Sequence, residues 1–453
     1  MNRIQGFTRY LPYVVSILLV LILLVLSFSA PNDPDMGWHL QNGAYILENL
    51  RLPTGDIYSW TMPGYPWVPH EWGTDVIMSA LNNVGGLWAL VVFFAIVTAS
   101  TFYIVSGAVS TSRMTRLLVA IIGILISWTV IGVRPQMITL LGVAIVLYLI
   151  FNWRNQPKGK LLWWLPFLFF IWANLHGGFP IGFVLLVVFS GGEVVRHILS
   201  AGSKNKTLLE DRDFLSLIKW SSLAFVATFM NPNGWRVYEE LYQTFIDRDV
   251  LNRILEWLPI TLTSIASHNM ALVVVLLFFL LIINRGKFDT TKLVLVVFVF
   301  FFSLSSWRHM PIFALTAMVL LAEQLNILFK KDLVQTLSTF LGITFIIIIL
   351  VLSGSWQFFR ISKVITEPDL YGAVYTYPYG AIQYLKENPS THTRLFNEYG
   401  WGGISFGRCQ NKKFLSMDVW LFGNTKILIF LMTLAMLQVL IEKLLYQPWR
   451  GGI

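Results

Sequence analysis

Long apolar runs alternate along the chain with short polar segments rich in Lys, Arg, Gly, Pro and Trp. Runs long enough to cross roughly 30 Å of hydrocarbon fall near 11–28, 87–109, 115–133, 137–152, 161–175, 179–195, 217–230, 270–283, 293–306, 311–324 and 337–353, about eleven in all. The first has no small-residue cleavage site and reads as an anchor, not a removable signal. The pattern predicts an all-α polytopic membrane domain over 1–353. Its first loop, 29–86, is too long for a mere connector. Residues 354–413 turn polar and read as the start of a soluble α/β segment, with a helix over Pro378–Leu385 and a strand from Arg394 into a Gly-rich turn.

Composition agrees with this picture. Of 453 residues, 56% are hydrophobic and only 13% charged, and the mean hydropathy is +0.65. Soluble domains carry about 25% charged residues, so a cytosolic globular enzyme, a disordered chain and a disulfide-rich secreted domain are excluded. One cysteine, Cys409, rules out an intramolecular disulfide and a Cys-built zinc site. The net charge of +9 would suggest nucleic acid in a soluble protein. Here the cations fall in alternate loops instead. With the N-terminus (Arg3, Arg9) cytosolic, the same side collects Arg113, Arg116, Arg154, Lys158, Lys160, Arg196, Lys204, Lys206, Arg212, Lys219, Arg285, Lys287, Lys292, Lys330 and Lys331. Cytosolic loops carry such an excess, so the charge sets orientation and implies no nucleic-acid partner.

Histidines follow the opposite rule. Of the seven, only His197 falls on the cytosolic side. The first outer loop also holds Asp33, Asp35, Glu71 and Asp75, so groups suited to acid, base or metal chemistry gather on one face. Pro34 holds Asp33 extended, and Asp35 is placed to cap a helix over residues 36–50. On that helix Asp35 and His39 share a face, four residues apart, a pair able to act as a base or to help hold a divalent cation. Asp33, unlike Asp35, has no structural duty legible in the sequence. His70 and Glu71 form a second acid–base pair among aromatic residues suited to a membrane interface or to stacking on a sugar ring. Arg134-Pro135, Asn174 with His176, Asn231-Pro232-Asn233-Gly234 and Arg308-His309 stand at span ends. Arginine at membrane depth is expensive, and Arg134 and Arg308 are the cations suited to a phosphate. Soluble-enzyme motifs are absent: there is no P-loop, dinucleotide fingerprint, G-x-S-x-G or H-E-x-x-H.

The strings D-P-D-x-x-W-H-L from Asp33, G-x-x-I-L from Gly43, P-T-x-D-x-Y-S from Pro53 and P-W-x-x-H-E-W from Pro66 together resemble bacterial polytopic GT-C glycosyltransferase-like proteins. These are relatives of protein O-mannosyltransferases, lipid A aminoarabinose transferases and oligosaccharyltransferases. The later R-P-Q, W-A-N-L-H-G-G-F, N-P-N-G, W-R-H-M-P and L-F-N-E-Y-G-W-G-G strings fit as well, and the likeness covers roughly residues 11–413. Relatives usually read D-x-D-x-W-W-H, where this chain has Gly37 for the first Trp. The resemblance implies a GT-C-like bundle of about eleven spans in a bacterial cytoplasmic membrane, with its active face outside. It implies transfer of a sugar from a polyprenyl-phosphate donor to a glycan, lipid or protein acceptor. Asp33 or Asp35, with His39, would supply the base or hold a divalent cation such as Mg or Mn. Arg134, Arg308 and His309 would meet the donor phosphate, while His70, Glu71, Asn174 and His176 line the pocket. A transporter or flippase, or a non-catalytic scaffold for surface polysaccharide assembly, is the alternative.

Residues 414–453 depart from the resemblance. Relatives continue with Ile-Asp-Gly-Arg-Met, whereas here Leu415-Ser416-Met417-Asp418-Val419-Trp420 precedes an apolar run at 427–441. One DNA string, TTATCGATGGACGTATGG, encodes both readings in different frames. The tail is therefore expected to be a frameshifted translation, the competing reading being a genuine twelfth span.

Overall fold

Every expected span falls on a helix in a computed structural model of the protein. The structure describes residues 2–156, 160–200, 212–247, 251, 254–261, 263–328, 335–367, 379–388, 394–395 and 413–414. Helices in chain order are α1 (Asn2–Ser27), α2 (Met36–Asn49), α3 (Trp72–Ser106), α4 (Arg113–Ser127), α5 (Gln136–Asn155), α6 (Trp164–Leu175) and α7 (Pro180–Ser200). There follow α8 (Arg212–Ala227), α9 (Arg236–Ile246), α10 (Ile265–Ile283), α11 (Thr290–Leu304), α12 (Met310–Leu328), α13 (Gln335–Thr366) and α14 (Tyr379–Glu387). Short polar side chains start several of them where the backbone N–H groups lack partners. Ser112 accepts from Thr115 N–H, Ser264 from Ser267 N–H and Asp289 from Lys292 N–H, each at 3.1 Å.

Helix α12 is apolar on all faces, and Met310 through Ala322 are buried without a break. That is how a central helix reads. It packs on α4, α10 and α11, while α5 packs on α3, α6 and α7, and α1 lies against α3, α4 and α13. Around this core the outward side chains stay apolar: Ile17, Val20, Phe167, Val187, Val226, Leu272, Phe278 and Phe301 are all exposed. An apolar belt of that extent suits lipid and not water. By length and composition Trp72–Ser106, Gln136–Asn155, Pro180–Leu199 and Trp307–Leu328 suffice to cross a membrane, and Ser16–Ser27, Leu161–Leu175, Ser267–Ile283 and Thr290–Leu304 are shorter apolar helices. The protein is an all-α polytopic membrane protein.

At 35 residues, α3 would run about 50 Å at 1.5 Å per residue, more than the hydrocarbon needs. It breaks at Gly85–Gly86, where Gly86 takes φ +60° and ψ −157°, a conformation only glycine adopts without strain. The expected span from 87 begins just past this break, and residues 72–84 form the helical part before it. The rest of that loop is α2 and a folded-back segment with a bridge between Gly55 and Pro66. Asp56 holds this segment, accepting from the N–H groups of Tyr58 and Ser59 at 2.8 and 3.0 Å.

Past α13, helix α14 covers the helix expected from Pro378, and Arg394–Leu395 pairs in parallel with Lys413–Phe414. The Gly-rich turn at 400–403, Cys409 and the questioned tail from 415 lie outside the described residues.

Candidate functional site

Asp33 opens the site, and not as the sequence suggested. One carboxylate oxygen accepts the Asp35 N–H at 2.8 Å, an Asx turn that Pro34 favours by pinning the chain between them. Asp33 thus closes the start of α2, whereas Asp35 holds the N-cap position without a side-chain capping bond. Asp35 is exposed, Asp33 buried. The second Asp33 oxygen lies 2.6 Å from Arg134 Nε.

Arg134 comes from the turn just before α5 and also pairs with Glu256. Burial opposes its charge, but Asp33, Glu256 and Asp35 outweigh that and hold its pKa above the usual value. Glu256 lies on a short 3-10 turn, Leu255–Trp257, that docks on the α11–α12 connection. Ser306 Oγ donates to the Glu256 carbonyl at 2.6 Å, and Trp307 N–H to that of Leu258 at 3.3 Å. Across this junction Arg308 Nε stands 4.0 Å from Glu256, its guanidinium over the Trp257 ring at 5.1 Å. His309 turns from the charges, stacking on Phe302 at 4.1 Å between centroids. The charges alternate along the row Asp33, Arg134, Glu256, Arg308. Sequence reading missed Glu256, whose signal is only an acid beside Trp257 in an otherwise apolar stretch.

The other half is built where α2 crosses α3. Gly43 permits the crossing, since a Cβ there would sit 2.0 Å from the Asp75 carbonyl oxygen. His39 and Asn42, one turn apart on α2, then both reach Asp75. His39 Nδ1 is 2.7 Å from one carboxylate oxygen, and Asn42 donates to the other at 2.5 Å. The expected pairing of Asp35 with His39 is therefore corrected: His39 faces α3, and its acid is Asp75. Glu71 sits among three histidines, 3.0 Å from His176 Nε2 and 3.7 Å each from His39 Nδ1 and His70 Nε2. Burial penalises the His39 cation, yet Asp75, Glu71 and Asp33 hold its pKa up at about 10. Burial also works against the Glu71 anion, but His176, His39 and His70 keep its pKa well below the carboxylate range. For His176 burial wins and lowers the pKa, with Arg308 acting in the same direction. The influence of Arg308 on His176 and of Asp33 on His39 ties the two halves into one site.

Asn174 does not reach the charged groups. Its amide donates to the carbonyls of Phe170 and Met230 at 2.8 and 3.1 Å, fastening α6 to the end of α8. The Asp33 carboxylate, named with Asp35 for a divalent cation, meets the Arg134 guanidinium in this structure. The donor set that does converge is His39, Glu71 and Asp75, whose ligand atoms lie within 4.8 Å of one another. One imidazole nitrogen with two carboxylates suits a divalent cation, which would compete with the His39 proton. All these groups lie at the first-loop end of the bundle.

No protein-family model and no curated protein sequence matches the chain. Among solved structures it is similar to the apo-form crystal structure of an oligosaccharyltransferase from Archaeoglobus fulgidus, with a TM-score of 0.54 and 10% identity. The match covers 90% of this chain and 65% of that one, so this chain spans a little under two thirds of the larger protein's length. At that identity the likeness is one of fold alone.

Proposed function

We propose that the protein is a GT-C-type membrane glycosyltransferase taking its sugar from a polyprenyl-phosphate donor. The acceptor is a glycan, lipid or protein hydroxyl at the outer face of a bacterial cytoplasmic membrane. The observation that carries this reading is the joining of acids, histidines and two arginines at one end of an apolar bundle whose fold is like that of an oligosaccharyltransferase. Lipid-linked donors also suit a chain with no nucleotide-binding motif. Such a reaction needs a base, a cationic clamp and a greasy flank for the prenyl tail.

Roles follow from exposure and partners. Asp35, exposed beside Arg134, takes the proton of the acceptor hydroxyl as its oxygen attacks the sugar carbon. The bond to the phosphate oxygen breaks, and its electron pair leaves with the polyprenyl phosphate. Arg308, held at 4.0 Å from Glu256, is better placed to neutralise that phosphate than Arg134, which is committed to two carboxylates. Asp33 orients Arg134 and the start of α2. A divalent cation, if the reaction uses one, is held by His39, Glu71 and Asp75 and supplies positive charge toward the donor.

Transfer from radiolabelled polyprenyl-phosphate sugars, assayed in membranes, tests this reading. Asp35→Asn is expected to lose about 100-fold or more of the rate, and Arg308→Ala a comparable factor, with expression and thermal stability near wild type. Undiminished transfer in both variants would remove the proposed chemistry.

A further inference from the structure

At the base of the site, one hydrogen-bond chain runs out of the membrane core and ends on His176 Nδ1, while His176 Nε2 makes only a close charge contact with Glu71. Trp172 Nε1–H can only donate, and it lies 3.1 Å from Thr139 Oγ1. The Thr139 hydroxyl stands 2.8 Å from His176 Nδ1, and the Gly178 backbone N–H, again only a donor, reaches the same nitrogen at 2.8 Å. A ring nitrogen receiving a backbone N–H carries no proton. Hence the Thr139 proton points to Nδ1, and the His176 proton sits on Nε2, 3.0 Å from Glu71 Oε1. Thr139, His176 and Trp172 are all buried, so water does not compete for these bonds.

We infer that Thr139 is a positioning residue for His176, Thr139 together with Gly178 locking the ring as the Nε2–H tautomer that sets a neutral N–H beside Glu71. The inference rests on the reading of this end of the bundle as a glycosyl-transfer site. It means that His176 cannot take a proton at the nitrogen facing the site, which already bears one. It also keeps the ring beside one Glu71 oxygen neutral, so the charge of Glu71 is not cancelled there, while the second oxygen faces His39. Thr139 does not stand out in the sequence, because it lies within an apolar helix, and Trp172 does so only as the start of the W-A-N-L-H-G-G-F string.

The test uses the full chain labelled with 15N-histidine in detergent or nanodiscs, with His176→Asn assigning the resonance. Wild type and Thr139→Ser are expected to show Nε2 protonated and Nδ1 as a hydrogen-bonded acceptor. In Thr139→Val the Nδ1 resonance moves toward that of an acceptor with one donor fewer. Transfer in Thr139→Val is expected to fall about 10- to 100-fold in kcat with little change in KM, and Thr139→Ser restores it. Trp172→Phe, which keeps the ring and removes the donor, shifts the same resonance by a second route. An Nδ1–H tautomer in wild type, or a Nδ1 signal indifferent to Thr139→Val, would overturn the assignment. So would equal losses in the Ser and Val variants, which would mean that the methyl group matters through packing alone. If wild type transfers no sugar while the resonances behave as expected, the glycosyl-transfer reading fails and the hydrogen-bond assignment stands.

Discussion

His39 is held between carboxylates from two elements, Asp75 at 2.7 Å and Glu71 at 3.7 Å, and their combined charge raises its pKa to about 10 from the usual 6.5. A raised histidine stabilises the fold fully below its unfolded pKa, and that contribution drains away as pH climbs through the folded one. Glu71 has the opposite sign. Its depressed pKa gives stability above the ordinary 4.5 that is lost on acidification. Both contributions are complete between about pH 5 and 6.5. The thermal unfolding midpoint in detergent is therefore expected to fall from pH 6.5 to 10.5, and to fall less in His39→Gln, which hydrogen-bonds but carries no charge. Tyrosines and lysines titrating over the same range are common to both proteins and cancel in the difference. Equal slopes for the two would mean that His39 is neutral in the folded state. The same local bonding separates Asp33 from Asp35, two acids alike in the sequence. Asp33 turns back to the Asp35 N–H and meets Arg134, which leaves Asp35 as the exposed carboxylate.

The crossing of α2 on α3 is the element on which the site depends, and it turns on one absent side chain. In Gly43→Ala the new Cβ would meet Asp75 backbone at 2.0–2.5 Å and Ser79 Cβ at 2.7 Å. Backbone cannot rotate away, so the helices must part. The expected result is a loss of about 1–3 kcal/mol together with the His39 and Asn42 contacts to Asp75, seen as a lower unfolding midpoint and weaker transfer. Gly191→Ala on α7 is the control. Its Cβ would meet nothing within 4 Å, and alanine favours a helix interior by up to about 1 kcal/mol, so that variant should match or exceed wild type. If both variants behave alike, close approach does not govern the crossing. The spans themselves were legible, because an apolar run of fixed length has few alternatives in a membrane. The break in α3 at Gly85–Gly86 was legible as well, a Gly pair before a long apolar stretch. Helix α9 was not, since its 11 residues carry a short amphipathic pattern inside a polar connector. Partner choice was harder still. Four-residue spacing within α2 suggested Asp35 for His39, and a residue 36 positions away took that place. Glu256 reaches Arg134 across 122 positions, with nothing local to announce it.

At the scale of the whole molecule, charge is sorted to the two ends of the bundle. Between them, buried hydroxyls such as Ser127, Thr101 and Thr316 bond to carbonyls of their own helices, which satisfies them without a pathway. Opposite the candidate site, Arg154 at the end of α5 meets Glu193 of α7 at 3.1 Å and Asp289, the cap of α11, at 2.6 Å. Lys292 pairs with Glu323 of α12 beside them, and Thr291 donates to Glu193 at 2.7 Å. These contacts join four helices where their apolar faces end. Removing one partner of a buried ion pair strands the others at a cost of about 3–5 kcal/mol. Arg196 still bonds Glu193 at 2.5 Å, and Asp289 still caps its helix, so about 3 kcal/mol is the fitting expectation for Arg154→Met. Adding Asp289→Asn should recover part of it, because one uncompensated charge is gone. Sugar transfer measured well below the lowered midpoint should stay near wild type, as the helices deliver the candidate site at their other end. Transfer abolished in Arg154→Met with an unchanged midpoint would place this network in the reaction and not in the scaffold. An unchanged midpoint with unchanged transfer would mean that packing of α12 alone holds the four helices together.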